Sequence, residues 1–501
     1  MTVTEALEKL KALELKQYAY NFATSAISLD SVTVAPKDTA PGRGKALEVL
    51  SEEDYKILAN PETGELLAFL DEERKKGNLP VQEAREVELL KRDYDQLSRI
   101  PMDEYVAFQV LLNDADDAWH KAKDASDFSM FEPFLEKIVA YNIKFAGYYD
   151  PTKKPYDALL NEFERGANME MLDGYFAALR KEIVPLLKAT REKPQVRFDF
   201  MSRPCKVWKQ RELSDYVMGV MGLGKDHVAI GETEHPFTLH FNKNDVRITT
   251  HYYEDAMVSS LFSVIHEGGH ALYERGVDDC YLYTRLASGV SMGVHESQSR
   301  FYENIIGRSR AFTGFLFPKL VELFPEAMDG VTPEEFYKAV NKAEPSLIRT
   351  EADELTYSLH IMVRYEIEKQ LIGGTLAVKD VPRVWNELYK EYLGIDVPDD
   401  KHGCLQDSHW SGGSFGYFPS YSLGSAYGAQ LLGVMEKDFD VWGEVAKGNL
   451  APVTEWLRTK IHHYGCLLNP MPLMEQAWGA KFDPTAYTDY LKRKYTEIYD
   501  L

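Results

Sequence analysis

Cysteine is scarce in this chain: Cys205, Cys280, Cys404 and Cys466 are the only four in 501 residues. None forms a CxxC pair, which argues against a disulfide scaffold and against a cysteine-held zinc module. Long apolar runs are also missing. The first apolar stretches are short and broken by charge, so neither a secretory leader nor a membrane span is expected. Gly/Ser linkers, low-complexity tracts and 20–50-residue repeats are absent too. Length alone permits two or three domains, but with no linker we expect one, over residues 1–501. Positive charge is in deficit, with 57 Lys and Arg against 79 Asp and Glu and a net charge of −22. That balance disfavours nucleic acid and anionic membranes as partners. It also makes arginines inside polar motifs notable, because an acidic protein must place positive charge deliberately to hold an anion. Few cysteines and no leader point to a reducing, cytoplasmic setting.

What is present is mostly helical periodicity. Residues Met1 to Leu10 read as a capped amphipathic helix, and Val81–Leu90 and Leu172–Ala189 also fit helix spacing. Residues before about 80 read as paired helices around a Pro/Gly loop at Pro36 to Gly44. One stretch differs. Phe237–Phe241 and Val246–Tyr252 are β-rich runs flanking the polar turn Asn242–Asp245, which predicts a hairpin. A strand in that position can bind an extended peptide as an added strand, or can be purely structural.

The most specific feature is Ser263-Val-Ile-His-Glu-Gly-Gly-His-Ala-Leu-Tyr-Glu274. It holds HExxH in a helix-like stretch. His266 and His270, four residues apart, stand on one helix face, so both imidazoles can reach one zinc-like ion. Glu267 can then act as general base in peptide-bond hydrolysis. Histidine numbers only 13 here, so a chance match is rare. Gly268 and Gly269 each cost roughly 1 kcal/mol against Ala in a helix interior. Their presence predicts another backbone, or a substrate, passing close by.

A hydrolytic zinc site uses three protein ligands and leaves one position open. The candidates for the third are Glu296, early in a second predicted helix, and Glu274, one turn beyond His270. Three ligands on one straight helix cannot spread into a tetrahedron, so Glu296 is preferred. His295 beside it either supports the ligands or is only a neighbour.

Four further polar clusters interrupt apolar sequence: His235-Pro236-Phe237, Asp245–Thr250, Ile348–Asp353 and Gly403–Trp410. Singly, each is weak. Together HPF, DxRIT, HExxH, HESQ, IRxxAD and GxxQDxHW, in this order, resemble the thermostable carboxypeptidase 1 (Taq carboxypeptidase) family of metallocarboxypeptidases. The motifs span about residues 150 to 425, with Tyr156–Leu160 and Gly416–Tyr421 also looking familial. Leu29–Pro36 departs from the Trp-Asp…Met-Pro pattern expected near the N-terminus. The resemblance implies a mainly α, neurolysin- and angiotensin-converting-enzyme-like fold with a deep groove, and a helical lid formed by residues 1–80. It also implies a homodimer, a zinc or cobalt ion, and removal of single C-terminal residues with broad specificity.

On that basis roles can be allotted. The oxyanion needs a second donor, for which His409 and Tyr421 are candidates. The substrate's free carboxylate suits an arginine fork, with Arg349 first and Arg247 second. Asp353, one turn after Arg349, is expected to orient it or to support a ligand histidine. His235 is expected to line the pocket or to steady the metal helix. Two rivals stand beside this reading: an oligopeptidase cutting inside short peptides, and a metal-bearing binding protein without turnover. The intact Glu267 argues against the latter.

Overall fold

The computed structural model describes residues 1–501, the side chain of Lys37 excepted. Helices dominate, and the only sheet among the described residues has three short strands. These are β1 (Val228–Glu232), β2 (Thr238–Asn242) and β3 (Asp245–Thr250). β2 and β3 form the hairpin predicted from the sequence, turning at 242–245. β1 was not anticipated; it lies parallel to β3 on the other side. Val246 and Ile248 of β3 are fully buried, and β3 packs on the HExxH helix, which runs from Met257 to Gly276.

Two close approaches fix the centre of the fold. A Cβ on Gly269 would lie 2.7 Å from Ser299 Cα and 2.8 Å from the Gln298 carbonyl oxygen. So at Gly269 the predicted neighbour is backbone, that of the helix Met292–Arg300, whereas Gly268 faces the Met221 and Leu223 side chains. On the opposite side, a Cβ on Gly424 would lie 2.7 Å from Glu296 Cβ. Gly424 belongs to the buried helix Pro419–Asp438. The short helix carrying Glu296 is thus pressed between two glycine-bearing helices.

The N-terminal region builds its own layer. Helix Val3–Thr33 starts with a capping box, in which Thr2 and Glu5 satisfy each other's backbone N–H groups. The predicted loop at Pro36–Gly44 is shorter than expected. Helix resumes at Ala40, because Pro41 falls in the first turn, where its missing N–H costs nothing. Ala6 and Leu10 pack with Leu66, Leu67, Leu70, Val87 and Leu90 in a small core separate from the main one. The main core runs from Phe108 to Tyr499. No helix among the described residues is long and apolar enough to cross a membrane.

Glu14 continues the Ala6–Leu10 stripe and is buried. One of its oxygens accepts the Arg285 backbone N–H at 2.9 Å and the other has no partner. Burial, aided by the nearby Glu86 carboxylate, pushes its pKa from 4.5 up to about 8. The folded chain therefore holds a proton that the unfolded chain releases near pH 4.5. This contribution to stability is whole below that pH and is lost as pH rises through about 8. Hydrogen exchange over residues 3–33, corrected for intrinsic rates, is expected to show protection falling from pH 6 to 9. In Glu14→Gln, that fall should disappear.

Candidate metal centre and active site

The HExxH helix and the helix behind it bring three ligand atoms to one point. Donor atoms of His266, His270 and Glu296 all lie within 4.8 Å of one another. Each histidine Nε2 stands 3.7 Å from Glu296 Oε2. That is too long for a hydrogen bond. It suits two ligands of one ion, since bonds of about 2.1 Å at a tetrahedral angle put ligand atoms about 3.4 Å apart.

The other ring nitrogens explain why both Nε2 atoms are free. His266 Nδ1 lies 2.9 Å from Glu303 Oε2, so it donates its N–H there. His270 Nδ1 lies 2.6 Å from His295 Nδ1, and His295 Nε2 lies 2.6 Å from Glu274 Oε1. The arrangement that satisfies every atom is a relay: His270 N–H donates to His295, and His295 N–H to the Glu274 carboxylate. Both ligand candidates then present an Nε2 lone pair to the shared point, as a metal requires. Glu274 is thus placed two groups away from that point.

Electrostatics fits the His270–His295–Glu274 relay, while at His266 the surrounding carboxylates favour positive charge at the point where an ion would sit. Burial alone would raise Glu274, but His240 at 3.4 Å and His295 hold its pKa at about 2. Burial opposes ionised Glu303 as well, yet Arg300, His266 and Arg308 hold it far below the carboxylate range. Burial and the neighbouring His295 push His270 well down. For His266 burial also acts downward, but the Glu296 and Glu303 carboxylates outweigh it and carry the group to about 9. Arg300 also donates to Glu296 Oε1 at 2.7 Å, fixing which oxygen is left for the ion. From Phe301 to Gly307 the chain is a π-helix, and Arg308 beyond it pairs with Glu303 at 3.1 Å.

Glu267 is buried, and the Thr238 hydroxyl on β2 donates to its Oε2 at 2.6 Å. Burial raises its pKa. The hairpin therefore orients this carboxylate. Both lie in a groove of about 700 Å³ that also exposes Tyr417, Ser420 and Tyr421. A second cavity of about 580 Å³ shares Thr238, His240, Arg285 and Ser288 with it. The groove thus continues outward beneath Glu14, Tyr18 and Phe22 of the N-terminal helix.

The remaining predicted residues fall into two groups. Tyr421 lines the groove, and its hydroxyl is 3.1 Å from His409 Nε2. His409 sits behind it, and burial lowers its pKa to about 4, leaving the ring neutral. Its Nδ1 is buried with no partner. Placing the proton on Nε2 leaves a lone pair, not an N–H, unsatisfied. In that form His409 donates to Tyr421 and frees the phenol O–H for the groove.

Arg349, Arg247, His235 and Asp353 are not brought to the groove wall. Arg349 is buried, with Nε and Nη2 on Asp407 at 3.1 and 2.9 Å and Nη1 on Tyr357 at 3.0 Å. Its guanidinium lies 4.9 Å from the Tyr421 ring centre. Arg247 is paired with Asp245 and stands over Phe241. The His235 side chain is exposed, while Pro236 and Phe237 line the groove. Asp353 caps helix Glu354–Ile372 through Thr356, so its carboxylate serves backbone and touches neither Arg349 nor a ligand histidine. Sequence reasoning missed Glu303, Asp407 and Thr238 as partners of His266, Arg349 and Glu267.

The fit to a divalent ion rests on this backing. Glu303→Gln keeps a hydrogen-bond acceptor for His266 but removes its charge. It is expected to weaken metal binding by about 10- to 100-fold in a chelator competition, with the helical circular dichroism unchanged.

Comparison with known proteins agrees with the geometry. Residues 9–495 match the family described as Carboxypeptidase Taq (M32) metallopeptidase. Carboxypeptidase 1 of Bacillus subtilis is 40% identical over 486 residues, covering 96% of each chain. Thermostable carboxypeptidase 1 of Thermus thermophilus is 34% identical over 524 residues, covering 100% of each. The crystal structure of an M32 carboxypeptidase from Deinococcus radiodurans superposes with a TM-score of 0.96 at 34% identity, covering 99% of this chain and 100% of that one. The helical fold and the clustered ligand atoms are therefore those of a peptidase, and this chain belongs to the Carboxypeptidase Taq (M32) metallopeptidase family.

Proposed function

We propose that this chain releases single amino acids from the free C-termini of peptides, with broad side-chain specificity, using one divalent ion held by His266, His270 and Glu296. The observation that carries the reading is the convergence of those three donor atoms beside Glu267, each histidine already backed through its Nδ1. Zinc is the ion we assign, since His2Glu with an open position suits it, and cobalt fits the same donors. When bound, the ion supplies Lewis-acid chemistry, polarising the scissile carbonyl and acidifying a water.

The chain's own groups do the rest. Glu267, oriented by Thr238, accepts the proton from water and delivers it to the leaving amine nitrogen. Its raised pKa suits both halves of that transfer. Tyr421 donates a hydrogen bond to the developing oxyanion, with His409 setting the direction of its hydroxyl. Burial raises the Tyr421 pKa far above neutral, so it keeps its proton. Arg349, taken by Asp407 and Tyr357, is assigned to bracing the Tyr421 ring.

Residues 1–80 act as the lid, since helix Val3–Thr33 lines the outer cavity yet packs on its own small core. We regard 1–501 as one catalytic unit, with the motifs in 150–425 at its centre. A homodimer suits the exposed stripe Met102, Val106 and Val110, spaced one helical turn apart. Four free cysteines, three of them buried, suit a cytoplasmic setting.

The test is digestion of N-blocked peptides followed by mass spectrometry, each peptide with a free or an amidated C-terminus. Stepwise loss of single residues from free-acid peptides only, stopped by a chelator, is the expected result. Internal cuts in both forms would make this an oligopeptidase instead. Glu267→Gln is expected to bind metal normally and to lose at least about 100-fold in kcat, the scale of a general base. Retention of full turnover would remove that role.

A further inference from the structure

A third cavity, of about 370 Å³, shares no lining residue with the groove or its outward continuation. That volume suits a small molecule. Tyr337, Trp442 and Tyr490 supply three aromatic rings to its walls. Ile305 comes from the π-helical turn Phe301–Gly307, two residues after the Glu303 that backs His266. Helix Arg310–Leu323 begins against the cavity, which Ser309, Arg310 and Ala311 all line.

Most polar groups here are already committed. Lys494 is buried and donates to Glu354 at 2.6 Å and to the Asn304 carbonyl at 3.2 Å. Tyr490 donates to that same carbonyl at 3.3 Å. Glu497, the one carboxylate lining the cavity, takes the Arg310 Nε and Nη2 at 2.8 and 2.7 Å. Arg310 also pairs with Glu334. The Trp442 indole N–H donates to Glu436 Oε1 at 2.7 Å. The Ser309 hydroxyl caps the Phe312 N–H at 3.1 Å.

The groups left over are donors. Tyr337 is only 4% exposed, and that opening includes its hydroxyl, which has no hydrogen-bond partner among the described residues. Burial and the Glu497 carboxylate push its pKa up to about 12, so it keeps its proton. Arg493 is exposed and stands 3.8 Å from Glu436 Oε1, beyond hydrogen-bond reach of an oxygen that already serves Trp442. The backbone N–H groups of Arg310 and Ala311 hold the first two positions of their helix, where no intrahelical acceptor exists. These donors are neighbours. The Arg310 guanidinium lies 4.5 Å from the Tyr337 ring centre. Glu497, which holds Arg310, follows Arg493 by one turn of the helix Thr485–Tyr499.

We propose that this cavity binds a small aromatic anion, a planar ring carrying one carboxylate or phosphate group. The aromatic walls suit the ring. The Tyr337 hydroxyl, the Arg493 guanidinium and the start of the helix suit the charge. A cation would find no free partner, since Arg310 holds the lining carboxylate. The site goes beyond the hydrolytic reading and uses none of its residues.

The test is calorimetric titration into the metal-loaded full chain. Indole-3-acetate and phenyl phosphate are the probes, and neutral indole-3-acetamide is the control. At least one anion is expected to bind, with the amide at least about 10-fold weaker. Arg493→Gln should weaken the anion about 10- to 100-fold, and Tyr337→Phe about 3- to 10-fold. KM for free-acid peptides should stay unchanged in both variants, which reports an intact fold and groove. Absence of binding by both anions would overturn the proposal. Equal binding of indole-3-acetate and its amide would reduce the site to an apolar pocket and overturn it too. Undiminished anion binding in both variants would place the probes elsewhere, in the substrate groove, with the same consequence.

Discussion

Everything at the active centre depends on how closely three helices can approach. The backbone of Gln298 and Ser299 sits where a side chain on Gly269 would be, and Glu296 itself sits where one on Gly424 would be. A methyl at either place meets main chain or the first carbons of a ligand residue, neither of which can step aside. Glycine in mid-helix is a local cost of roughly 1 kcal/mol, set against a ligand geometry that tolerates only tenths of an ångström. The small strands serve the same purpose from the third side. β3 buries Val246 and Ile248 against the HExxH helix, which leaves Thr238 of the paired strand at the Glu267 carboxylate.

A layered charge pattern surrounds that centre. Nearest the ion point are two imidazoles and a carboxylate. Around them stand Glu303, the His295–Glu274 pair and Arg300, and beyond these Arg308 and His240. Glu296 and Glu303 each have an arginine within about 4 Å, the condition under which burial of charge is tolerable.

How much of this could be read from the sequence follows from distance along the chain. That His266 and His270 share a face was legible because one helical turn relates them. Glu296 was legible because it opens the next helix. The glycine pair signalled a close approach, which only Gly269 makes to backbone. Asp407 lies 58 residues from Arg349, and nothing local marks the pair, so the sequence did not show that the arginine is held. Asp353 looked like its partner through i,i+4 spacing, but spacing on a helix means little for a residue that caps the helix. β1 escaped notice because a parallel neighbour is joined by a crossover and leaves no hairpin signature.

The π-helical turn after the ligand helix has a consequence of register. Its backbone bonds run five residues back, as from the Arg308 N–H to the Glu303 carbonyl at 3.0 Å. The side chain stacked over Glu303 is therefore Arg308, five positions on. In an ordinary α-helix that place would fall to Gly307, which has no side chain to offer. The carboxylate that backs His266 would then lose one of its two arginines. The number of residues in this turn is thus as much a part of the metal site as their identity, and shortening the turn by one would uncouple the site from the helix beyond it without altering any ligand.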